Sequence, residues 1–193
     1  VVVVDDGSTD ASRERLEPYR TDPRIRLHFQ ENTGAHAALN TGCRMAEGRW
    51  IFILNSDDTF GPSRIETLTA RLEANPDAAL AASWLEVVDG TGNRLGVKEA
   101  WRTLPPPWAQ QAGGPMLSTL GDPRLALLET NWISTTSNLA FPASLIRDRG
   151  LEFSPLRYAH DWDFILSACR FGPLELVDKP LLGYRVHGAN TIG

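Results

Sequence analysis

Val1 to Val4 form a continuous β-branched run, the pattern of a strand buried on both faces of a parallel sheet. It stops at Asp5-Asp6-Gly7-Ser8-Thr9-Asp10, where Ser8, Thr9 or Asp10 offers a cap for a helix running to about Tyr19. Ile25, Leu27 and Phe29 alternate with polar residues and predict a second strand over 24–29. Gly34 opens a stretch of helix formers from Ala35 to Ala46, closed by Gly48. Trp50 to Leu54 reads as another buried strand, and it too runs into polar residues, Asn55-Ser56-Asp57-Asp58. Gly61-Pro62 restarts a helix with Ile65, Leu68 and Leu72 on one face, and Ala79 to Trp84 predicts a further strand.

Strands alternating with helices imply βαβ units and a Rossmann-like, mainly parallel sheet flanked by helices, an α/β fold. Ligands of such sheets bind beyond the carboxyl ends of the strands, so the two acidic strand ends mark a candidate rim. From Gly90 to Leu120 the pattern breaks: Gly92, Pro105-Pro106-Pro107, Gly113-Gly114-Pro115, Trp101 and Trp108 predict a long irregular connection, a length usually tied to function. Order returns over Leu125 to Glu129, Ser137 to Phe141 and a helix from Pro142 to Arg149 ended by Gly150. His160-Asp161-Trp162-Asp163 leads an amphipathic helix, and Leu174 to Val177 predicts a last strand before Tyr184-Arg185-Val186-His187.

Composition narrows the classes. Hydrophobic residues are 42% and charged residues 22%, ordinary for a globular domain, and 193 residues suit one domain. A net charge of −5 argues against a nucleic-acid partner, since neutralising phosphates needs clustered Lys and Arg. A bound nucleotide would need local devices instead, such as a metal ion or backbone N–H groups. Cys43 and Cys169 have no metal-ligand spacing and read as free buried thiols, which suits a reducing, cytoplasmic compartment. No apolar run approaches a membrane span. The chain opens on Val1 without Met, so a longer protein is expected, with any membrane association carried by segments outside it.

Several side chains are candidates for chemistry. Asp57 and Asp58 suit a hard divalent cation, Mn²⁺ or Mg²⁺, able to stabilise a departing diphosphate; the competing reading is a simple polar turn. Carboxylates at Asp5 and Asp6 suit hydrogen bonds from a nucleobase or ribose, or merely a strand–helix connection. Asp161 and Asp163 flank Trp162 at a helix start, where the helix dipole favours acids without any function; the functional alternative is a general base beside a flat ring for a sugar. His187 becomes a candidate metal ligand in the company of these acids. His160-Asp161 also matches metal-dependent phosphohydrolases of the HD type, which require further His and Asp ligands that four histidines do not supply.

Taken in order, Val1-Val4-Asp5-Asp6-Gly7-Ser8-Thr9-Asp10, Glu31-Asn32-Thr33-Gly34, Leu39-Asn40-Thr41-Gly42, Leu54-Asn55-Ser56-Asp57-Asp58 and Tyr184-Arg185-Val186-His187-Gly188-Ala189-Asn190 resemble family-2 glycosyltransferases of the GT-A fold. The resemblance covers nearly the whole chain. It implies a nucleotide-sugar-binding half over 1–90 and an acceptor-binding, catalytic-base half over 91–193. It places Asp6 at the nucleobase with Asp5 nearby, and Ser8, Asn32, Gly34 and Asn55 on the nucleotide side. Asp57 becomes the metal-binding Asp of the D-x-D motif, His187 a neighbour of metal and diphosphate, and Asp161 the catalytic base. Asp58, His160, Trp162 and Asp163 fall beside the acceptor or behind the reacting groups.

Three positions depart from the family pattern. Asn55 replaces the first Asp of D-x-D, Leu39 replaces the usual Arg or Lys before Asn40, and His160 replaces the usual acid before Asp161. The family's opening strand is also missing. The implied activity is inverting transfer of a UDP- or dTDP-linked sugar to a hydroxyl of a glycan, lipid-linked or protein acceptor in bacterial polysaccharide or glycoconjugate synthesis. The alternatives are a non-catalytic sugar-nucleotide or glycan-binding module and a nucleotidyltransferase.

Overall fold

The computed structural model describes residues 1–108 and 121–188. Strand β1 (Val2–Asp6) pairs in parallel with β2 (Arg26–Gln30), joined by α1 (Ser12–Leu16) and a 3₁₀ turn over Glu17–Tyr19. Helix α1 is shorter than the expected span because Pro18 converts its end to the tighter turn. Asp10 still serves its start, accepting the Ser12 N–H at 3.0 Å. Helix α2 (Ala35–Met45) follows and buries Asn40 and Cys43.

The remaining strands are β3 (Trp50–Phe52), β4 (Thr59–Phe60), β5 (Leu80–Val88), β6 (Arg94–Lys98), β7 (Ala140–Pro142) and β8 (Leu174–Arg185). They form one sheet in the order β3-β7-β5-β8-β4, with β6 on β5. Helices α3 (Arg64–Ala74), α4 (Pro123–Ala126), α5 (Ser144–Arg147) and α6 (His160–Ala168) complete the α/β domain.

The sheet is mixed, which corrects the expectation of a mainly parallel one. β5 runs parallel to β8 but antiparallel to β6 and β7, and β3–β7 and β4–β8 are antiparallel too. The connection from β5 to β6 is too short for a crossover and can only turn back. There, the Asp89 carboxylate accepts the N–H groups of Thr91 and Asn93, fixing a hairpin where Gly90 and Gly92 had suggested the start of an irregular loop. Gly113-Gly114-Pro115 of that loop lies outside the described residues, as does Ala189-Asn190 of the closing motif.

β8 runs far beyond the expected Val177. Its register against β5 jumps from Ser83↔Val177 to Trp84↔Pro180, so Asp178 and Lys179 are extra residues in a bulge. A bulge tolerates Pro180, which has no N–H for the ladder. The bulge lets the strand continue to Tyr184 and Arg185.

The main core joins α6 to the sheet. Phe153 and Phe164 stack with centroids 4.1 Å apart, and Phe141 of β7 sits 5.0 Å from Phe164. Asn40 ties α2 to the same region, accepting the Phe153 N–H and donating to its carbonyl. Cys43 and Cys169 are free thiols, Cys43 buried and Cys169 half-buried. Burial pushes them up to about 12 and about 11, so neither is a reactive thiolate.

Candidate active site

The acidic end of β1 organises its own turn. Asp5 is buried and accepts the Ser8 N–H at 3.2 Å and Arg13 Nε at 2.8 Å. Burial raises its carboxyl pKa, but the hydrogen bonds from Ser8 and Arg13 outweigh that and hold it below the ordinary value. Asp6 faces the other way and accepts Gln30 Nε2 at 2.8 Å, the Thr33 N–H at 3.0 Å and the Gly34 N–H at 2.9 Å. It therefore fixes the turn that carries Asn32 and Gly34 before α2. Gly7, at φ +77°, permits the close approach: a Cβ there would lie 2.7 Å from the Asn32 nitrogen. Ser8 and Asn32 are exposed beside it.

The second acidic segment follows β3. Asn55 Nδ2 donates to Thr135 Oγ1 at 3.2 Å, and its Oδ1 accepts from Thr136 Oγ1 at 2.9 Å. Asp58 is buried; its Oδ1 accepts the Arg185 N–H at 3.1 Å and its Oδ2 accepts from Thr135 Oγ1 at 3.4 Å. Burial raises the Asp58 carboxyl above its usual range against hydrogen bonds from Ser137 and Arg185, and the Asp57 charge adds to the rise. Asp57 is half-exposed, and His187 Nε2 lies 3.3 Å from its Oδ2. Arg185 Nε also donates to the Asp57 carbonyl, and its Nη1 to the Asp89 carbonyl.

Arg64 stands behind this turn. It is fully buried, donating to Ser83 Oγ, the Ser137 carbonyl and Asn138 Oδ1. Burial lowers its pKa to about 10, and the Asp58 charge works against that fall. Arg64 precedes Leu68 and Leu72 at helical spacing on the buried face of α3, a signal for a buried cation that the apolar reading of this helix passed over.

On α6 the buried stripe is Asp161, Phe164, Ile165 and Ala168. Asp161 therefore points inward, whereas Asp163 is off the stripe. Asp161 Oδ2 accepts from Asn131 Nδ2 at 3.0 Å, and its Oδ1 accepts the Trp162 N–H at 2.8 Å. Trp162 Nε1 donates to the Leu127 carbonyl at 2.7 Å, anchoring the ring against α4. His160 Nδ1 lies 3.1 Å from the Leu156 carbonyl, and its ring meets Phe153 edge-on at 6.4 Å. It therefore packs against the core, unlike the ligand an HD-type centre requires.

Residues 131–136 link the two regions: Thr135 and Thr136 bond to Asp58 and Asn55, and Asn131 bonds to Asp161. Burial pushes the Tyr184 phenol up to about 12, and the charges of Asp58, Asp57 and Asp161 each add to the rise. Among the described residues, no hydrogen bond joins Asp5 or Asp6 to that cluster. The described residues hold no group of three His, Cys, Asp or Glu side chains placed to bind a metal. Asp57 with His187 nevertheless fits a divalent cation of the kind that takes one or two protein ligands and completes its shell with substrate phosphates.

Residues 1–126 match the model of glycosyl transferase family 2. The chain is 32% identical over 195 residues to the succinoglycan biosynthesis protein ExoO of Rhizobium meliloti, covering 97% of this chain and 51% of that protein. It is 33% identical over 198 residues to the uncharacterized glycosyltransferase YibD of Escherichia coli, covering 99% of this chain and 54% of that one. The chain spans about half the length of these relatives. The fold matches that of S. aureus TarS in complex with UDP-GlcNAc, with a TM-score of 0.71 at 20% identity over 99% of this chain and 50% of that chain. The domain has the GT-A fold expected from its motifs, and the chain belongs to glycosyl transferase family 2.

Proposed function

We propose that this chain catalyses inverting transfer of a sugar from a UDP- or dTDP-linked donor to an acceptor hydroxyl. The observation that carries this reading is the segment 131–136, which bonds Asp58 through Thr135 and Asp161 through Asn131, with His187 on Asp57. Asp161 takes the proton of the acceptor hydroxyl as its oxygen bonds to the anomeric carbon. The bond from that carbon to the diphosphate breaks on the opposite face, and the nucleoside diphosphate leaves with the electron pair. Asp57 and His187 would hold Mn²⁺ or Mg²⁺, which when bound neutralises charge on the leaving diphosphate. Asp6 holds the turn carrying Asn32 and Gly34 on the nucleotide side, and Trp162 and Asp163 lie toward the acceptor.

The UDP-GlcNAc held by TarS supports a UDP-linked donor, and the name of ExoO supports a polysaccharide acceptor. No helix among the described residues is long and apolar enough to cross a membrane. We place the activity in the cytoplasm, with a glycan, lipid-linked or protein acceptor and any membrane contact made by other segments. The test is release of nucleoside diphosphate from UDP- and dTDP-sugars by the full-length protein, with and without Mn²⁺. Metal-dependent release of UDP or dTDP is expected. Pyrophosphate as the product would identify a nucleotidyltransferase instead, and donor binding without release a non-catalytic module.

A further inference from the structure

Lys98, at the end of β6, is buried and meets no carboxylate among the described residues. Its Nζ donates to the Trp132 carbonyl at 2.6 Å and to Ser134 Oγ at 2.5 Å, and lies 5.3 Å from the centre of the Trp108 ring. Burying an ammonium without a counter-charge is costly, so its bonds to this one segment call for an explanation. Burial pushes Lys98 down to about 7. A neutral amine keeps two N–H bonds, so both contacts survive loss of the charge.

The segment it grips is strained and leads to the reacting centre. Ser134 has φ +76°, a left-handed conformation unfavourable for a residue with a Cβ and one that persists only where its surroundings enforce it. In that conformation the Ser134 N–H donates to Asn131 Oδ1 at 3.2 Å. This contact orients the Asn131 amide, so that Nδ2 faces Asp161 Oδ2 at 3.0 Å. Asp161 is thereby held by two donors on different oxygens, Asn131 Nδ2 and the Trp162 N–H. Two such bonds fix the rotation of the carboxylate plane and leave each oxygen with lone-pair capacity for a proton.

We infer that Asn131 is a positioning residue for the Asp161 carboxylate, held in register by Lys98 through the left-handed Ser134. The inference rests on Asp161 acting as the base. Lys98 and Asp161 do not touch; the coupling runs through Ser134 and Asn131.

The experiment measures kcat and KM of the full-length protein on whichever of UDP-GlcNAc, UDP-glucose and UDP-galactose it turns over, read as UDP release. Asn131→Leu keeps the branched shape but removes both the donor to Asp161 and the acceptor of the Ser134 N–H. It should lower kcat on the order of tenfold to a hundredfold, as expected for a misplaced reacting group, with donor KM unchanged. Ser134→Gly separates positioning from folding. Glycine accepts φ +76° freely, which offsets part of the cost of the acceptor lost to Lys98, so the melting temperature should fall by no more than a few degrees while loss of the Oγ lowers kcat. A normal kcat in Asn131→Leu, with turnover lost in Asp161→Asn, would overturn the positioning role and leave the base assignment standing. A normal kcat in Ser134→Gly would break the link to Lys98. Normal turnover in Asp161→Asn would remove the base assignment and this inference with it.

Discussion

His187 Nε2 lies 3.3 Å from Asp57 Oδ2, across 130 residues of sequence. The contact depends on the pairing of β4 with β8, in which Thr59 faces Gly183 and Phe60 faces Leu182. Gly183 permits that approach, since a Cβ there would fall within 2.4 Å of Thr59 Oγ1. Two strand residues thus bring together a candidate pair of metal ligands.

Asp57→Ala is expected to abolish the Mn²⁺-dependent part of UDP affinity, and His187→Ala to weaken it less. Loss of a metal–phosphate bridge should cost at least about tenfold in Kd, or roughly 1.4 kcal/mol. Calorimetry with UDP, with and without Mn²⁺, reads both variants. Equal affinities for Asp57→Ala and the parent in Mn²⁺ would sink the metal assignment.

Asp161→Asn should lower kcat about 10²–10⁴-fold while UDP affinity stays nearly the same, because the amide keeps the shape but takes no proton. Asp163, off the buried stripe of α6, is the internal control, and Asp163→Asn should cost much less. Steady-state kinetics on both variants decides the matter. Greater sensitivity at Asp163 would reassign the base.

Near-identity of shape argues that Asn55→Asp is tolerated, and we expect activity to persist when a cation offsets the added charge. The hydrogen bonds predict a cost without metal. Asn55 Nδ2 donates to Thr135 Oγ1, which itself lies beside Asp58, and a carboxylate would lose that bond and face a second acid. A loss of about 1 kcal/mol is expected, a fall in melting temperature of roughly 2–4 °C. Thermal melts in chelator and in Mn²⁺ would show it, and an unchanged melt in chelator would contradict it.

Asp58 carries a pH signature. Its folded-state pKa is raised, so its charged form opposes folding. Its contribution is most favourable below the unfolded carboxylate value, about 3.9, and is lost as pH rises through the higher folded value. Asp58→Asn should therefore gain stability relative to the parent between pH 4 and pH 7 in metal-free buffer. A difference in melting temperature that stays flat across that range would contradict the assignment.

The sequence alone determined the local elements and the acidic residues at their ends. The Val1–Val4 run, the α2 and α3 patterns and the Asp pairs are legible because hydrophobic period and strand-end polarity are properties of neighbouring residues. Tertiary structure decided the rest. The alternation of strands with helices implied parallel pairing, so the mixed sheet appeared only through the strand pairing itself, and Pro180 concealed the length of β8, which continues past it through a bulge against β5. Likewise, the helix start by itself does not separate Asp161 from Asp163, which only the family resemblance told apart; packing of Phe164 against Phe153 and Phe141 buries the stripe that carries Asp161 and turns that acid inward. Lys98, Asn131 and Ser134 carry no pattern of their own. Their connection exists because the fold buries an ammonium beside a left-handed residue: one local contact, Ser134 to Asn131, is joined to Lys98 and to Asp161 by contacts between positions far apart in the chain.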